Sequence, residues 1–277
     1  MRNPVITLTT DFGVSDAYVA IMKGVILGIN PEAKIVDITH SIEPQNVVQA
    51  AFLLNTAYRY FPKQSIHLAI VDPGVGGERR EIILKTPLAL FVAPDNGILS
   101  YIINELSSER SSSMESYPAR EVRLQKGLEA VAITDPRFWR LPVSPTFHGR
   151  DIFAPVAAAL SLGISLYEFG EKITSLRVFP IPRPFLDSQG NLVGHILYVD
   201  YFGNLITNIK STDLPHMDVT IEIAGQYIQG ISRYYEQEEE LMAVLSSSGY
   251  LEISLRNGNA ANFLSVDLGE QVKVILA

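Results

Sequence analysis

Asp72 and Arg79 stand in the stretch Val71-Asp72-Pro73-Gly74-Val75-Gly76-Gly77-Glu78-Arg79, directly after the apolar run Ile66 to Val71. That run reads as a buried strand, so a carboxylate, a glycine-rich turn and a guanidinium share one connection at a strand's C-terminal end. In open α/β sheets ligand crevices form at such ends. The glycines let backbone N–H groups approach a ligand, and Arg79 can fold back onto Asp72. A Pro-Gly turn closed by a salt bridge is the structural alternative. Other polar groups also fall at predicted strand ends: Thr9-Thr10-Asp11-Phe12-Gly13, Asp37-Ile38-Thr39-His40 and Pro94-Asp95-Asn96-Gly97. In a parallel sheet such ends gather on one edge. Thr146-Phe147-His148-Gly149-Arg150-Asp151 precedes a predicted helix, whose positive end would hold an anion or polarise a nucleophile. Each has a plainer alternative: Asp11 tying down a loop, Asp151 capping its helix, His40 and His148 as structural hydrogen-bond partners. Later in the chain come Asp200-Tyr201-Phe202-Gly203-Asn204, Ser246 to Ile253, and Asn257 to Ala261. Phe202 can stack on a planar ring and Asn204 carries the paired donor and acceptor a purine edge requires, unless the segment is an ordinary tight turn.

The surroundings exclude several chemistries. Asp11-Phe12-Gly13 matches a kinase triplet, but no lysine strand or catalytic loop accompanies it. The first β-α turn lacks G-x-G-x-x-G, which disfavours a dinucleotide dehydrogenase. No H-x-x-x-H or E-x-x-H spacing supports a metal, and none is expected. The absence of cysteine excludes disulfides, zinc-thiolate sites and cysteine nucleophiles. With 22 basic and 30 acidic residues the net charge is −8, which argues against a nucleic-acid surface. No apolar run approaches the roughly 20 residues of a membrane helix. Met1-Arg2-Asn3-Pro4 leads straight into a strand with no signal-peptide core, so a cytoplasmic location is expected.

The elements that must position these residues are legible in the periodicity. Val5 to Thr9 predicts a strand. Ser15 or Asp16 can cap a helix with Tyr18, Ile21, Met22, Val25 and Ile29 on one face, ending at Asn30-Pro31. Lys34 to Ile38 is a strand, Val47 to Tyr60 a helix, and Ile66 to Val71 completes a β-α-β-α-β series. That series predicts an α/β fold with a mostly parallel sheet covered on both faces. Glu81 to Lys85 and Ala89 to Ala93 are further strands, and Asp151 to Leu162 a helix stopped by Gly163. Ser107 to Ser116 reads as a surface excursion. Pro180, Pro182 and Pro184 make a stiff connector that cannot join a sheet. Beyond it, His195 to Val199, Val219 to Ala224, Leu241 to Leu245, Leu251 to Leu255 and Val272 to Leu276 are short strands with little helix between them. They predict a small all-β barrel or sandwich of about ninety residues. The acidic run Glu236 to Glu240 reads as a solvated loop.

In this order, the segments at Asp11, at Asp37 to His40, from Asp72 to Arg79, from Pro94 to Gly97, from Phe147 to Asp151, from Asp200 to Asn204 and from Tyr250 to Ile253 resemble one family. It is that of the adenosine-forming S-adenosyl-L-methionine hydrolases, or hydroxide adenosyltransferases, whose relatives are the fluorinase and chlorinase. The resemblance runs from Thr9 to about Ala261. It implies a Rossmann-like N-terminal α/β domain over 1–180 and a C-terminal β-barrel domain over 185–277. It also implies a homotrimer whose ligand lies between the first domain of one subunit and the barrel of the next. The family's Asp-Arg-His triad falls on Asp72, Arg79 and His148, and its ribose-gripping aspartate on Asp11. Asp200 matches the position facing the methionine amino group, Phe202 and Asn204 match adenine contacts, and Ser247 matches a methionine carboxylate contact. Glu252 sits in the shared Tyr-Leu-Glu-Ile run as a further substrate-binding position.

The departures point to the hydrolytic branch. The halogenases place tyrosine and serine where this chain has His148 and Gly149, and tyrosine where it has Asp72. They also carry an inserted loop where this chain runs on compactly from Lys85 to Ala93. The tryptophan of the fluorinase ribose pocket is replaced by Gln45. Displacement at C5′ of a sulfonium expels neutral methionine, so no general acid is needed, and no cofactor is expected. The site must orient a partly desolvated water or hydroxide in line with the C5′–S bond. Arg79 and N–H groups near Gly149 could stabilise hydroxide character, His148 could position the water or take its proton, and Asp72 could orient either. Which of the three takes the proton is open in the sequence. The alternatives are a chlorinase-like enzyme and a non-catalytic sensor of adenosine or the sulfonium compound.

Overall fold

The computed structural model describes residues 4–105, 119–235 and 241–275. The predicted excursion from Ser107 to Ser116 and the acidic run from Glu236 to Glu240 lie outside the described residues. The chain divides into two compact units, one reaching Pro180 and the other beginning at Ile181.

In the first unit, β1 (Val5–Thr10), α1 (Tyr18–Ile29), β2 (Lys34–Thr39), α2 (Val47–Ala57) and β3 (Ile66–Ile70) form the expected alternating series. β4 (Glu81–Lys85), β5 (Leu90–Pro94), α3 (Ser100–Glu105), β6 (Arg120–Arg123), β7 (Glu129–Ile133), α4 (Ala154–Ser161), β8 (Gly170–Ile173) and β9 (Ser175–Val178) follow. Seven strands make one sheet in the order β2-β1-β3-β5-β4-β7-β8, and β6 pairs with β9 apart from it. β2, β1, β3 and β5 run parallel, with Thr10 opposite Ile70 and Thr9 opposite Thr39, so their C-terminal ends share an edge. The sheet is nevertheless mixed rather than mostly parallel, because β4, β7 and β8 pair antiparallel. Only Thr86 to Ala89 connect β4 to β5. A parallel crossover needs a dozen or more residues, so this connection can only be a hairpin.

The core forms where β1 and β3, with Ile6, Leu8, Ile66 and Leu68 fully buried, meet Met22 and Ile26 of α1 and Val156 and Ala157 of α4. The buried stripe of α1 is narrower than its spacing predicts: Tyr18, Ile21 and Ile29 are exposed, and Met22 and Ile26, one turn apart, carry the burial. Ala17 holds the N-cap position without a side-chain bond, so neither Ser15 nor Asp16 caps this helix.

In the second unit β10 (Phe185–Leu186), β11 (Leu192–Val199), β12 (Leu205–Lys210), β13 (Thr220–Ile223), β14 (Gln226–Gln229), β15 (Leu241–Leu245), β16 (Tyr250–Leu255) and β17 (Gln271–Ile275) form one antiparallel, barrel-like sheet, with α5 (Ala260–Leu264) before the last strand. Its order is β14-β13-β17-β11-β12-β16-β15, with β10 paired to β11. Inward-facing Ile196, Leu205, Ile221, Ala243, Ile253 and Val274 form its core. Among the described residues no helix is long and apolar enough to cross a membrane.

Candidate active site

The turn after β3 returns Arg79 onto Asp72. Arg79 Nε donates to Asp72 Oδ1 at 3.0 Å and Nη2 donates to Oδ2 at 2.6 Å. The fork is thus bidentate, the strongest geometry for this pair. Gly76 makes the return possible: its φ is +75°, and a Cβ there would lie 2.4 Å from the Pro145 carbonyl oxygen. Both side chains are buried, at 4% and 6% exposure, so this is an internal ion pair rather than a surface one. Burial works against the Arg79 charge, but the hydrogen bonds and charges of Asp72 and then Glu81 outweigh it and raise its pKa. Phe153 lies under the guanidinium, its ring centroid 5.8 Å from Cζ.

His148 reaches the same cluster from the other side. It precedes a π-helical turn, Gly149–Phe153, which runs directly into α4. Nδ1 lies 3.1 Å from Arg79 Nη2 and 2.8 Å from Glu81 Oε1. Arg79 Nη1 donates to that same Glu81 oxygen at 2.5 Å. Asp72, Arg79 and His148 are therefore brought together, as expected, and a fourth residue joins them.

Glu81 was not singled out by its sequence context. As the polar first residue of an apolar strand it looks ordinary, and its place follows from strand direction. β4 runs antiparallel to β5 with Glu81 opposite Pro94, so the start of β4 lies at the edge where the parallel strands end. A parallel β4 would have put Lys85 there instead.

Asp151 is not the cap of its helix. It sits fully buried within the π turn, accepting from Arg150 Nε at 2.7 Å and from the Ser144 backbone N–H at 2.9 Å. Burial opposes its charge, yet Arg150, the Ser144 N–H and Arg140 hold its carboxyl below the usual range. These bonds tie down the loop that presents His148. Phe147 packs edge-on against Phe12 and Tyr18, joining this loop to the segment after β1.

Asp11 lies on the shared edge, and its Oδ2 accepts from the Gln45 backbone N–H at 2.8 Å. Gln45 adopts φ +67° to make that bond. His40 Nδ1 meets Thr10 Oγ1 at 2.9 Å, and its Nε2 is 3.1 Å from Asp37 Oδ1 without hydrogen-bond alignment. Asn96 Nδ2 donates to the Val71 carbonyl at 2.8 Å, fastening the β5 end to the β3 end. A separate groove, lined by Val25, Phe138, Trp139, Pro155 and Leu162 among others, contains none of Asp11, His40, Asp72, Arg79, Glu81, Asn96 or His148.

In the second unit, Asp200 Oδ1 accepts from the backbone N–H groups of Phe202 and Asn204, each at 2.9 Å, and Oδ2 accepts from Asn204 Nδ2 at 2.9 Å. One amide hydrogen of Asn204 is thus committed to Asp200, while Phe202 is 70% exposed with its ring edge-on to Tyr201. Gly203, at φ +84°, leaves no room for a Cβ against Asn259. Glu252 is buried, its Oε1 accepting from Tyr235 Oη at 2.9 Å and Ser254 Oγ at 2.7 Å. Burial, then Glu252 and Asp200, push the Tyr235 hydroxyl up to about 12. Ser247 is exposed in the turn between β15 and β16 and makes no hydrogen bond among the described residues. Among the described residues no group of three or more His, Asp or Glu side chains is arranged to hold a metal ion.

Comparison with known proteins gives a consistent result. The model of the SAM hydroxide adenosyltransferase N-terminal domain matches residues 6–170, and that of the C-terminal domain matches residues 194–273. The (R)-S-adenosyl-L-methionine hydrolase of Methanocaldococcus jannaschii is 33% identical over 98% of this chain and 95% of its own. The protein of that name from Salinispora tropica is 32% identical over 98% of this chain and 97% of its own. The crystal structure of an uncharacterized conserved protein from Thermotoga maritima superposes with a TM-score of 0.85 at 33% identity, covering 98% of this chain and all of that one.

Proposed function

The chain belongs to the SAM hydroxide adenosyltransferase family, and from that premise we propose that it hydrolyses S-adenosyl-L-methionine at C5′, giving adenosine and L-methionine. The observation that carries the site assignment is the buried contact of Asp72, Arg79 and His148 at the edge where the parallel strands end. Asp72 saturates one side of the guanidinium and holds it rigid. The positive charge of Arg79 favours hydroxide character in a nearby water, and the apolar ring of Phe153 limits solvent around it. The sulfonium leaves as a neutral thioether, so the residues need only orient the water and dispose of one proton.

Asp11 grips the ribose hydroxyls in this reading. Phe202 stacks on adenine, Asn204 meets its edge, Asp200 faces the methionine amino group, Ser247 the carboxylate, and Glu252 supports that wall. The parallel order β2-β1-β3-β5 supports a Rossmann-like first domain over 1–180 carrying the triad. The antiparallel sheet of residues 185–277 is read as a barrel domain carrying the adenine and methionine contacts. A homotrimer with sites at subunit interfaces, a cytoplasmic location and independence of any cofactor belong to the same proposal. Asp72, His148 and Gly149, where the halogenases resemble one another differently, support water rather than halide as nucleophile.

The test is turnover by wild type and by Asp72→Ala, Arg79→Ala and His148→Ala, with both sulfur epimers of the substrate supplied. Each variant should lose about a hundredfold or more in kcat. Wild-type turnover retained in all three would refute the site.

A further inference from the structure

We propose that Glu81 is the positioning residue that makes His148 Nε2 the proton acceptor of the reaction; this rests on the hydrolase function proposed above. An ionised carboxylate only accepts hydrogen bonds and a guanidinium only donates them. Nδ1 of His148 meets one of each, Glu81 Oε1 at 2.8 Å and Arg79 Nη2 at 3.1 Å. With the ring proton on Nδ1, the shorter contact is a charge-assisted hydrogen bond to an anion, and Nε2 keeps its lone pair. With the proton on Nε2, Nδ1 would face Glu81 Oε1 lone pair to lone pair at 2.8 Å. Arg79 keeps its bonds to Asp72 and Glu81 in either case, and its N–H approach to Nδ1, lost in the first tautomer, is the longer of the two contacts. Glu81 therefore selects the first tautomer.

The other two triad members are poor acceptors. Arg79 stays protonated, its pKa raised further by its carboxylate partners. Both oxygens of Asp72 already accept from Arg79. His148 Nε2 has no hydrogen-bond partner among the described residues, which leaves it as the one basic atom of the triad that is not already paired with Arg79 or Glu81. In the step itself, the water oxygen bonds to C5′ and its proton passes to Nε2. The C5′–S electron pair leaves with sulfur, giving neutral methionine. The imidazolium so formed is held by Glu81 and then releases its proton to solvent.

Two substitutions separate geometry from charge. In Glu81→Gln the amide oxygen can still accept from both Arg79 and His148, so the tautomer survives and kcat should stay within about tenfold of wild type. In Glu81→Ala the ring is free to turn its proton to Nε2 and accept from Arg79; kcat should fall about a hundredfold with KM changed less than about threefold. ¹⁵N-histidine NMR of the full chain, with His148 assigned from a His148→Gln spectrum, reads the tautomer directly. In wild type and Glu81→Gln the neutral His148 ring should carry its proton on Nδ1, and in Glu81→Ala that preference should be lost. A wild-type ring protonated on Nε2, or full turnover in Glu81→Ala, would overturn the assignment. Absence of turnover in wild type would instead overturn the hydrolase function on which it rests.

Discussion

Replacing Arg79 by alanine removes one cation from between two carboxylates that have little access to water. The Asp72 and Glu81 side chains are 6% and 17% exposed, and each loses its closest donor. Taking one partner from a buried ion pair leaves an uncompensated charge and costs about 3–5 kcal/mol. Arg79→Lys keeps the charge but not the fork: one ammonium cannot reproduce Nε and Nη2 on Asp72 together with Nη1 on Glu81. Losing part of that set should cost roughly 1.5–3 kcal/mol, the range for one hydrogen bond to a charged group. Urea unfolding followed by circular dichroism measures both. With a slope of about 2–3 kcal/mol per molar, the Arg79→Ala midpoint should fall by about 1–2 M and the lysine midpoint by about half as much. Adding Glu81→Gln to Arg79→Ala should restore part of the loss, since it removes one of the stranded charges. An Arg79→Ala midpoint within about 0.3 M of wild type, or a further loss in the double variant, would refute the buried-pair account.

Two other perturbations follow from the first unit. His67 is fully buried on β3, bonded through Nδ1 to Thr7 Oγ1 at 2.7 Å and stacked on Phe91, and burial lowers its pKa to about 4. The unfolded chain takes up that proton first, so its contribution is complete above about pH 6.5 and is lost as pH falls toward 4, up to about 3 kcal/mol; denaturation of wild type and His67→Gln across this range should show the difference, and parallel pH curves would contradict it. Gly76→Ala forces a side chain into a left-handed conformation and against the Pro145 carbonyl, so it should destabilise by about 1–3 kcal/mol and lower kcat by displacing the Asp72 turn. Calorimetry and turnover check it, and a variant unchanged in both would exclude the tight approach.

Much of this arrangement was legible because the chemistry lies where apolar strands stop. Asp11, His40, Asp72 and Asn96 each follow such a run, and parallel pairing gathers them without any knowledge of side-chain contacts. The plainer alternative for Asp151, a helix cap, fails: a polar residue before an apolar run looks like a cap, while a π turn has no separate sequence signature. β12 escaped notice because Thr207 and Asn208 interrupt its apolar pattern. Both are buried: Thr207 Oγ1 donates to the Leu251 carbonyl, and Asn208 Oδ1 accepts from the His195 N–H while its Nδ2 is left without a partner among the described residues. Glu81 needed the direction of β4, which the short Thr86 to Ala89 connection already implied. The link from a four-residue hairpin to a fourth member of the buried Asp72-Arg79-His148 cluster passes through sheet topology, so no local motif reports it.

The measurement that tests the central claim most directly is incubation of the purified chain with S-adenosyl-L-methionine in ¹⁸O-water containing chloride, with mass spectrometry of the nucleosides. Adenosine bearing ¹⁸O at the 5′ position, together with released methionine, is the predicted result. A 5′-chloro nucleoside, or substrate that is bound and recovered intact, would contradict it.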